Sequence, residues 1–419
     1  MSKKLSELAD IFISSVDKKI REGEQEVLLC NFTDVYKNWA ITERNREKFL
    51  TATAKLKEIE TFCLKKGQVA ITKDSETKFD IGESSYIADD FENVILGYHT
   101  VLIKPFEELL DGKYLNAYFK TNMMKRYFEN NATGSGQRYT LPIDVLNDIP
   151  IALPKLDYQK RIGYFFSYLD RKFELNKKIN DNLEKQAKLL YNYWFSQFNF
   201  PDENGKPYKS SGGKLLCFNS FNKEIPPSWR YSQIKDLNID IITGKTPPRS
   251  EESYFNGEIP FLTISDLRKS LFASESEQTL SKSGADFQKS KYIPRGSLCV
   301  SCIASLGEIA FTTKISQTNQ QINTIVFKEA TCKEFIYLSL RDIFKNLTVK
   351  TGNTFKNMNK DEFSKLILLY PDSITLEKFH NLASPIFKKI ENNCIENTKL
   401  IKLRDFLLPL LMNGQATIE

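Results

Sequence analysis

From Asp157 to Phe198 apolar side chains recur at helical spacing, without a Pro and with one Gly. Ile162, Leu169, Leu183 and Leu190 share one heptad position, and Phe166, Phe173, Ala187 and Trp194 fall four residues later. The pattern predicts a helix of roughly 60 Å at about 1.5 Å per residue, carrying a coiled-coil seam. Asn176 and Asn180 interrupt that seam once. A helix this long cannot bury its stripe against itself, so it needs a partner helix.

The C-terminal part of the chain offers that partner. Pro154 opens the first run and Pro371 opens a second one 217 positions later. The same offset carries the seam onto Phe379, Ile386, Leu400 and Leu407, and onto Ala383, Ile390 and Leu411. The polar interruption returns as Asn393 and Asn397, and only Arg404, at the place of Ala187, departs. The alternating lead-in Ile149, Ile151, Leu153 returns as Leu366, Leu368, Tyr370. One register held this long is an internal repeat.

Ahead of each helix the pattern changes to short β-branched runs bounded by Gly, Pro and charge. In the first half KKGQVAITKD and NVILGYHTVLIKP read as strands, and LNAYFKTNMMKRYFENN as a helix. ATGSGQRYTL reads as a Gly/Ser loop and DIPIALP as a strand. The second half repeats the order, with PRGSLCVSCIASLGEIAF, TNQQINTIVFKE, KEFIYLSLRDIFKNL and TGNTFKNM as counterparts. Gly67 and Gly296 stand 229 apart, as do Leu5 and Ile234; the drift from 229 to 217 is what indels in surface loops produce. Expected domains are 1–155, the central helix 156–200, a polar turn-rich linker 201–214, a second domain 215–371 and a last helix 372–419.

Composition adds bounds. The 419 residues suffice for two to four cores, and the charge of +6 with pI 8.7 permits a polyanionic partner without requiring one. No apolar run reaches the length of a membrane span, and MSKKLSELAD lacks a signal-peptide core. Seven scattered Cys suit reduced thiols and a cytoplasmic location. Cys299 and Cys302 form a single C-x-x-C without a second pair, so no metal is expected. His99 and His380 are the two His, and each is read as structural.

Catalytic signatures fail one by one. Thr243-Gly244-Lys245-Thr246 resembles the end of a phosphate-binding loop, but Ile239 stands where the first Gly belongs, and Pro247-Pro248 suits a turn. Neither Pro201-Asp202 nor Pro371-Asp372 is followed by the carboxylate and Lys of a nuclease constellation. Pro226-Pro227-Ser228-Trp229 lacks the Asn of a base-gripping methyltransferase tetrapeptide. The chain reads as a recognition protein without catalysis.

The stretch EIPPSWRYSQIKDLNIDIITGKTPPRSEESYFNGEIPFLTISDL, with Pro-x-x-Trp, Gly-x-Thr-Pro and Asn-Gly-x-Ile-Pro-Phe, resembles the start of a target-recognition domain. IPRGSLCVSCIASLGEIAF, TNQQINTIVF and the segment LPKLDYQKRIGYFFSYLDRKFELNKKINDNLEKQAKLLYNYWFSQF continue the likeness. The family is that of the DNA-specificity (S) subunits of type I restriction-modification systems. The resemblance spans nearly the whole chain; it is weakest in 1–155, where the Gly-x-Thr-Pro turn is missing, and in 372–419. It implies an α+β fold with two globular target-recognition domains separated by two long antiparallel coiled-coil helices. Each domain would read one half of a bipartite site in double-stranded DNA. Two modification (methyltransferase) subunits, which bind S-adenosylmethionine, would dock on the chain, with restriction (endonuclease) subunits as optional further partners. The chain itself would hold no cofactor, perform no chemistry and engage no membrane.

Expected DNA contacts are Arg, Lys, Gln, Asn and aromatic residues in loops, because Arg and Gln pair with base edges while Lys and Ser take phosphates. In the first domain Ser135, Gln137, Arg138 and Tyr139 come first, since the flanking glycines allow close approach of backbone to DNA; Lys73 and Lys78 come second. In the second domain the candidates are Lys245, Arg249, Arg268, Lys269, Asn353 and Lys356. Asn319, Gln320 and Gln321 are expected to bond within the fold instead. Asn176, Asn180, Asn393 and Asn397 are candidates for a helix-register layer, with a solvent-facing bend as the alternative. A scaffold with two protein-binding domains on a coiled-coil spacer is the competing reading, as is a detached recognition part of a fused restriction-methyltransferase. Steep salt dependence of DNA binding separates recognition from scaffold.

Overall fold

A computed structural model describes residues 2–136, 138–218, 223–351 and 357–418. The chain divides into two compact units, Met1–Glu174 with Leu400–Glu419, and Leu175–Lys399. Each unit contains one globular α+β domain and stretches of both long helices.

In the first unit a five-stranded sheet runs in the order Ala9–Ile13, Thr100–Pro105, Val69–Thr72, Ser84–Ile87, Ala40–Ile41. Its pairs are antiparallel except the last. Val69–Thr72 is buried along its whole length, as expected of an inner strand covered on both faces. A three-stranded sheet places Gln25–Cys30 between Leu50–Ala54, antiparallel, and Val94–Leu96, parallel. Ser2–Lys4 pairs with Pro150–Ala152, which is the alternating lead-in to the central helix.

The second unit repeats this plan. Its large sheet runs Ile239–Thr243, Ile322–Phe327, Leu298–Ser301, Ile309–Thr312, Phe272–Ala273, again with a parallel last pair. Phe255–Leu262 lies between Gln278–Leu280, antiparallel, and Gln317–Thr318, parallel. Arg230–Gln233 pairs with the second lead-in, Ile367–Tyr370. Capping follows suit: the Asn31 N–H donates to Asp34 and the Thr263 N–H to Asp266, each at 2.9 Å.

Two glycines make the equivalence sharper. Gly82 (φ +81°) and Gly307 (φ +85°) occupy matching turns in the left-handed region. A Cβ on Gly82 would meet the Phe128 ring at 2.4 Å, and one on Gly307 would meet Phe344 at 2.7 Å. In both units a turn therefore lies directly on a Phe of a later helix, Asn122–Asn131 in the first and Lys333–Thr351 in the second.

The central helix runs Leu156–Tyr191 and ends in a π-helical turn, Asn192–Ser196; the C-terminal helix runs Ser373–Met412. In the first unit Ile162, Phe166 and Leu169 share a core with Leu408 and Leu411 and with the sheet residues Val69, Ile71 and Val101. In the second unit Ala187 and Trp194 share a core with Phe379, Ala383, Ile390 and Phe335. Burying each such large side chain stabilises by about 1.5–3 kcal/mol, so the seam draws on the globular cores as well as on the other helix. Within the second unit the helices run antiparallel: Asn176 meets Asn397, Asn180 meets Asn393, and the Trp194 ring lies 5.7 Å from that of Phe379. Residues 201–214 form a packed connection, with the Phe200 and Tyr208 rings stacked at 4.7 Å and the Asp202 carboxylate accepting from the N–H groups of Asn204 and Lys206.

Candidate nucleic-acid interface

In the first unit the glycine-rich segment is a β-hairpin rather than an irregular loop. Thr133–Ser135 pairs with Arg138–Thr140, and the second strand pairs on with Asp74–Ser75. The glycines explain the difference. Gly134 has φ +122° and a Cβ there would sit 2.3 Å from the Arg138 carbonyl oxygen, so the two strands close only around glycine. Gly136 (φ +73°) supplies the turn.

This sheet gathers residues that lie more than sixty positions apart in sequence. The Lys73 ammonium donates to Thr140 Oγ1 at 3.1 Å, and the Leu141 N–H donates to the Lys73 carbonyl at 2.9 Å. Ser135 and Arg138 are exposed and Tyr139 is half-buried. Lys78 is exposed on the loop leaving Ser75. Gln137 lies outside the described residues. Asp74 lies beneath the hairpin, with His99 Nδ1 at 2.5 Å from its carboxylate. Burial opposes ionisation of Asp74, but hydrogen bonds from Thr140 and His99 and the charge of Lys73 outweigh it and hold the carboxyl below its usual range. Asp80 fixes the loop that follows. It accepts from Ser75 Oγ at 2.7 Å, Thr77 Oγ1 at 2.6 Å and Tyr36 OH at 3.2 Å.

The second unit has the same end. The Met358 N–H donates to the Cys302 carbonyl at 2.8 Å, matching Leu141 and Lys73. The Cys302 N–H donates to the Gln321 carbonyl at 2.9 Å, as the Lys73 N–H does to the His99 carbonyl at 2.8 Å. Asn353 and Lys356, the sequence candidates before Met358, lie outside the described residues. Lys245 and Arg249 are exposed on the connection after Ile239–Thr243. Gly244 is required there because a Cβ would sit 2.1 Å from the Asn319 carbonyl oxygen. No helix begins at this turn, so it is not a phosphate-binding loop of the strand-to-helix kind.

Arg268 and Lys269 end the helix Ile264–Lys269 and are engaged within the fold. Arg268 Nε donates to Glu308 at 2.9 Å, and its Nη2 reaches Ser305. The Lys269 ammonium lies 2.8 Å from Glu277 and 3.2 Å from Asp266. Burial disfavours its charge, but the Glu277 and Asp266 hydrogen bonds more than offset this and raise its pKa. Asn319 Nδ2 donates to Gln321, and Thr246 Oγ1 to Gln320, both inside the fold. His380 Nδ1 lies 2.7 Å from Glu334, so both His are partnered by carboxylates.

Two exposed side chains that charge and spacing did not single out stand at the same ends. Phe79 is 72% exposed beside Lys78, and Phe287 is 52% exposed beside Lys245. The sequence signal for the first is a Phe inside the otherwise polar run Lys73–Asp80.

The four seam asparagines meet inside the second unit. Asn176 Nδ2 donates to Asn397 Oδ1 at 2.9 Å and to Glu396 at 2.7 Å. Asn393 Nδ2 donates to Asn180 Oδ1 at 2.8 Å, and Asn180 Nδ2 to the Cys394 sulfur at 3.6 Å. All four are buried.

Burial pushes the Cys299 thiol up to about 12 and the Cys302 thiol up to about 11, so neither is a thiolate near neutrality. Among the described residues no cluster of three or more His, Cys, Asp or Glu could hold a metal, and no helix is long and apolar enough to cross a membrane.

A duplicated α+β domain with loops of polar and cationic residues at one sheet end defines a two-domain binding protein. The comparisons with known proteins specify the class. A family model described as type I restriction modification DNA specificity domain matches residues 3–185 and again 226–403, so the chain belongs to that family. It is similar to the HindI type I restriction enzyme specificity subunit of Haemophilus influenzae, at 28% identity over 404 residues, covering 84% of this chain and 87% of that one. The MjaIX specificity subunit of Methanocaldococcus jannaschii is 27% identical over 315 residues, covering 74% and 70%. Among solved structures, a type I restriction-modification system S subunit from M. genitalium shares the fold, with TM-score 0.57 at 14% identity over 98% of this chain and 95% of that one. The chain is thus a non-catalytic DNA-specificity component, and the protein-binding scaffold reading falls away.

Proposed function

We propose that each globular domain, 1–155 and 215–371, reads one half of a bipartite target in double-stranded DNA. The helix 156–200, joined to the second domain through 201–214, and the helix 372–419, which follows that domain, set the spacing between the halves. The observation that carries this reading is the repetition of one sheet end in both units. There Lys73, Lys78, Ser135, Arg138 and Tyr139 lie on or beside the hairpin in the first unit, and Lys245 and Arg249 are exposed on the connection after Ile239–Thr243 in the second. Arg138 suits a base edge; Lys73, Lys78, Lys245 and Ser135 suit phosphates. Gln137, Asn353 and Lys356 are proposed as further contacts on the sequence alone. Arg268 and Lys269 contribute by bracing loops, given their carboxylate partners.

Two modification subunits dock on the chain and carry S-adenosylmethionine, with restriction subunits joining in some assemblies. The complex works in the cytoplasm. The buried asparagine layer sets helix register, because a slip would place amides opposite apolar side chains.

The test is to map methylated bases in DNA modified by the reconstituted complex, before and after residues 1–150 are replaced by those of a relative. One half of the target should change while the other half and the spacer stay. A simultaneous change in both halves would overturn independent reading. The purified chain alone should transfer no methyl group.

A further inference from the structure

We infer that Phe79 and Phe287 are apolar wedges that enter the DNA base stack, one per half-site, each placed by a neighbouring lysine. The inference rests on the DNA-reading function above and names specificity-determining residues beyond the polar set.

Phe79 is held out in water at 72% exposure, although the first unit buries Phe91, Phe119, Phe128 and Phe166 completely. Its loop is not slack. The Asp80 carboxylate, the next group along, gathers Ser75, Thr77 and Tyr36, and burial of that carboxylate is outweighed by these hydrogen bonds, which keep it ionised. On the far side Gly82 rests on the Phe128 ring. An exposed Phe on a loop fastened at both ends loses little freedom on insertion, which is the condition for an effective anchor. Lys78 Nζ lies 5.7 Å from the Phe79 ring centroid, so a phosphate neutralised by the ammonium would sit beside the ring. The hairpin with Ser135 and Arg138 pairs with Asp74–Ser75, at the start of this same loop.

The second unit carries the same combination on different elements. Phe287 caps the helix Lys282–Asp286 with its ring 5.3 Å from that of Tyr254. Lys245 Nζ lies 5.9 Å from the Phe287 centroid, and Gln288 Nε2 donates to the Lys245 carbonyl at 2.8 Å. An exposed aromatic ring beside a cation thus recurs at both recognition ends although the residues are not sequence counterparts. Apolar side chains next to cations that grip phosphates unstack base steps and convert step flexibility into specificity.

The experiment uses the reconstituted modification complex on a duplex carrying its mapped target, with 2-aminopurine scanned through each half-site. The unsubstituted complex should raise fluorescence at one step per half. Phe79→Ala should abolish the rise in one half only and weaken target binding roughly tenfold, about the discrimination carried by one base pair; Phe79→Leu should retain both. Phe287→Ala should act on the other half. Thermal melting should be unchanged, since both rings are exposed. Unaltered fluorescence and affinity in Phe79→Ala and Phe287→Ala would overturn the wedges, as would weaker binding with undiminished fluorescence. Lys78→Ala and Arg138→Ala keep the two ideas apart: if they weaken binding and flatten its salt dependence while the Phe variants do nothing, DNA reading stands and the wedges fall. If none of the four variants changes binding, the reading end itself has been misplaced and both fall.

Discussion

The two units place the same backbone hydrogen bonds at the same end of the same sheet and then decorate that end differently. Lys73 and Cys302 are equivalent by their partners on both sides, Leu141 with His99 and Met358 with Gln321. Around Lys73 stand Asp74 and His99 in an ionic arrangement. Around Cys302 stand a buried thiol and neutral amides. The connector 73–83 is longer than its counterpart 302–308 and carries its own lysine and exposed phenylalanine. Framework positions that satisfy buried backbone groups tolerate little change, because an unpaired N–H or carbonyl is costly. Loop tips have no such debt to the core, so they are free to differ between halves.

The largest effect that would sharpen this comparison is expected at the shared turn glycines. Gly82→Ala and Gly307→Ala each force a Cβ into the left-handed region and into a Phe ring, and each should destabilise its own unit by about 2–4 kcal/mol. Gly67 (φ +96°) has room for a Cβ, so Gly67→Ala should cost only about 1–2 kcal/mol. Denaturant melts of the three variants check the order. Equal losses at Gly67 and Gly82 would mean that the ring contact contributes nothing.

A smaller effect is expected in the asparagine layer. Asn393→Leu alone leaves Asn180 Oδ1 buried without its donor and should cost about 1–3 kcal/mol. Changing Asn176, Asn180, Asn393 and Asn397 together to Leu removes the paired amides at once, taking a donor only from the half-buried Glu396 and the weakly accepting Cys394 sulfur, and should raise thermal stability above that of Asn393→Leu and above the parent. The methylating complex built on this chain should then accept spacers one base pair longer or shorter. A quadruple variant that is less stable and still demands one spacer length would show that the layer has another role.

The smallest effect concerns acid, and it should appear in the first unit only. Asp74 has a folded-state pKa below its unfolded value. Its stabilisation is therefore complete above the unfolded carboxyl value, about 3.9, and is lost as pH falls through the folded value. Hydrogen exchange at the amides of 133–140 should accelerate as pH is lowered from 5 through about 3, after correction for the intrinsic rate. In Asp74→Asn this acid step should vanish. Ile303, the counterpart of Asp74, cannot titrate, so the turn around Cys302 should show no such step from this position. An identical acid step in Asp74→Asn would exclude the carboxylate as its source.

Most of the repeat was legible because its signals are local. Heptad spacing, the Pro before each helix and the alternating lead-ins are read within a few turns of chain, and they locate the long helices and the strands that precede them. The asparagines stood out for the same reason, as amides in a hydrophobic stripe. Their partners did not, because Glu396 and Cys394 join Asn176 and Asn180 only once two distant segments run antiparallel. The sequence by itself determined a duplicated α+β domain on long helices, without catalytic constellations, because periodicity and motif spacing are properties of the chain. Tertiary structure alone decided that Lys73 lies under the 133–140 hairpin, that Arg268 and Lys269 are held by Glu308 and Glu277, and that Phe79 stays exposed while Phe128 is buried. Those outcomes depend on which side chains meet across long stretches of chain, and a residue's burial and charge partners exist only after the sheet has closed.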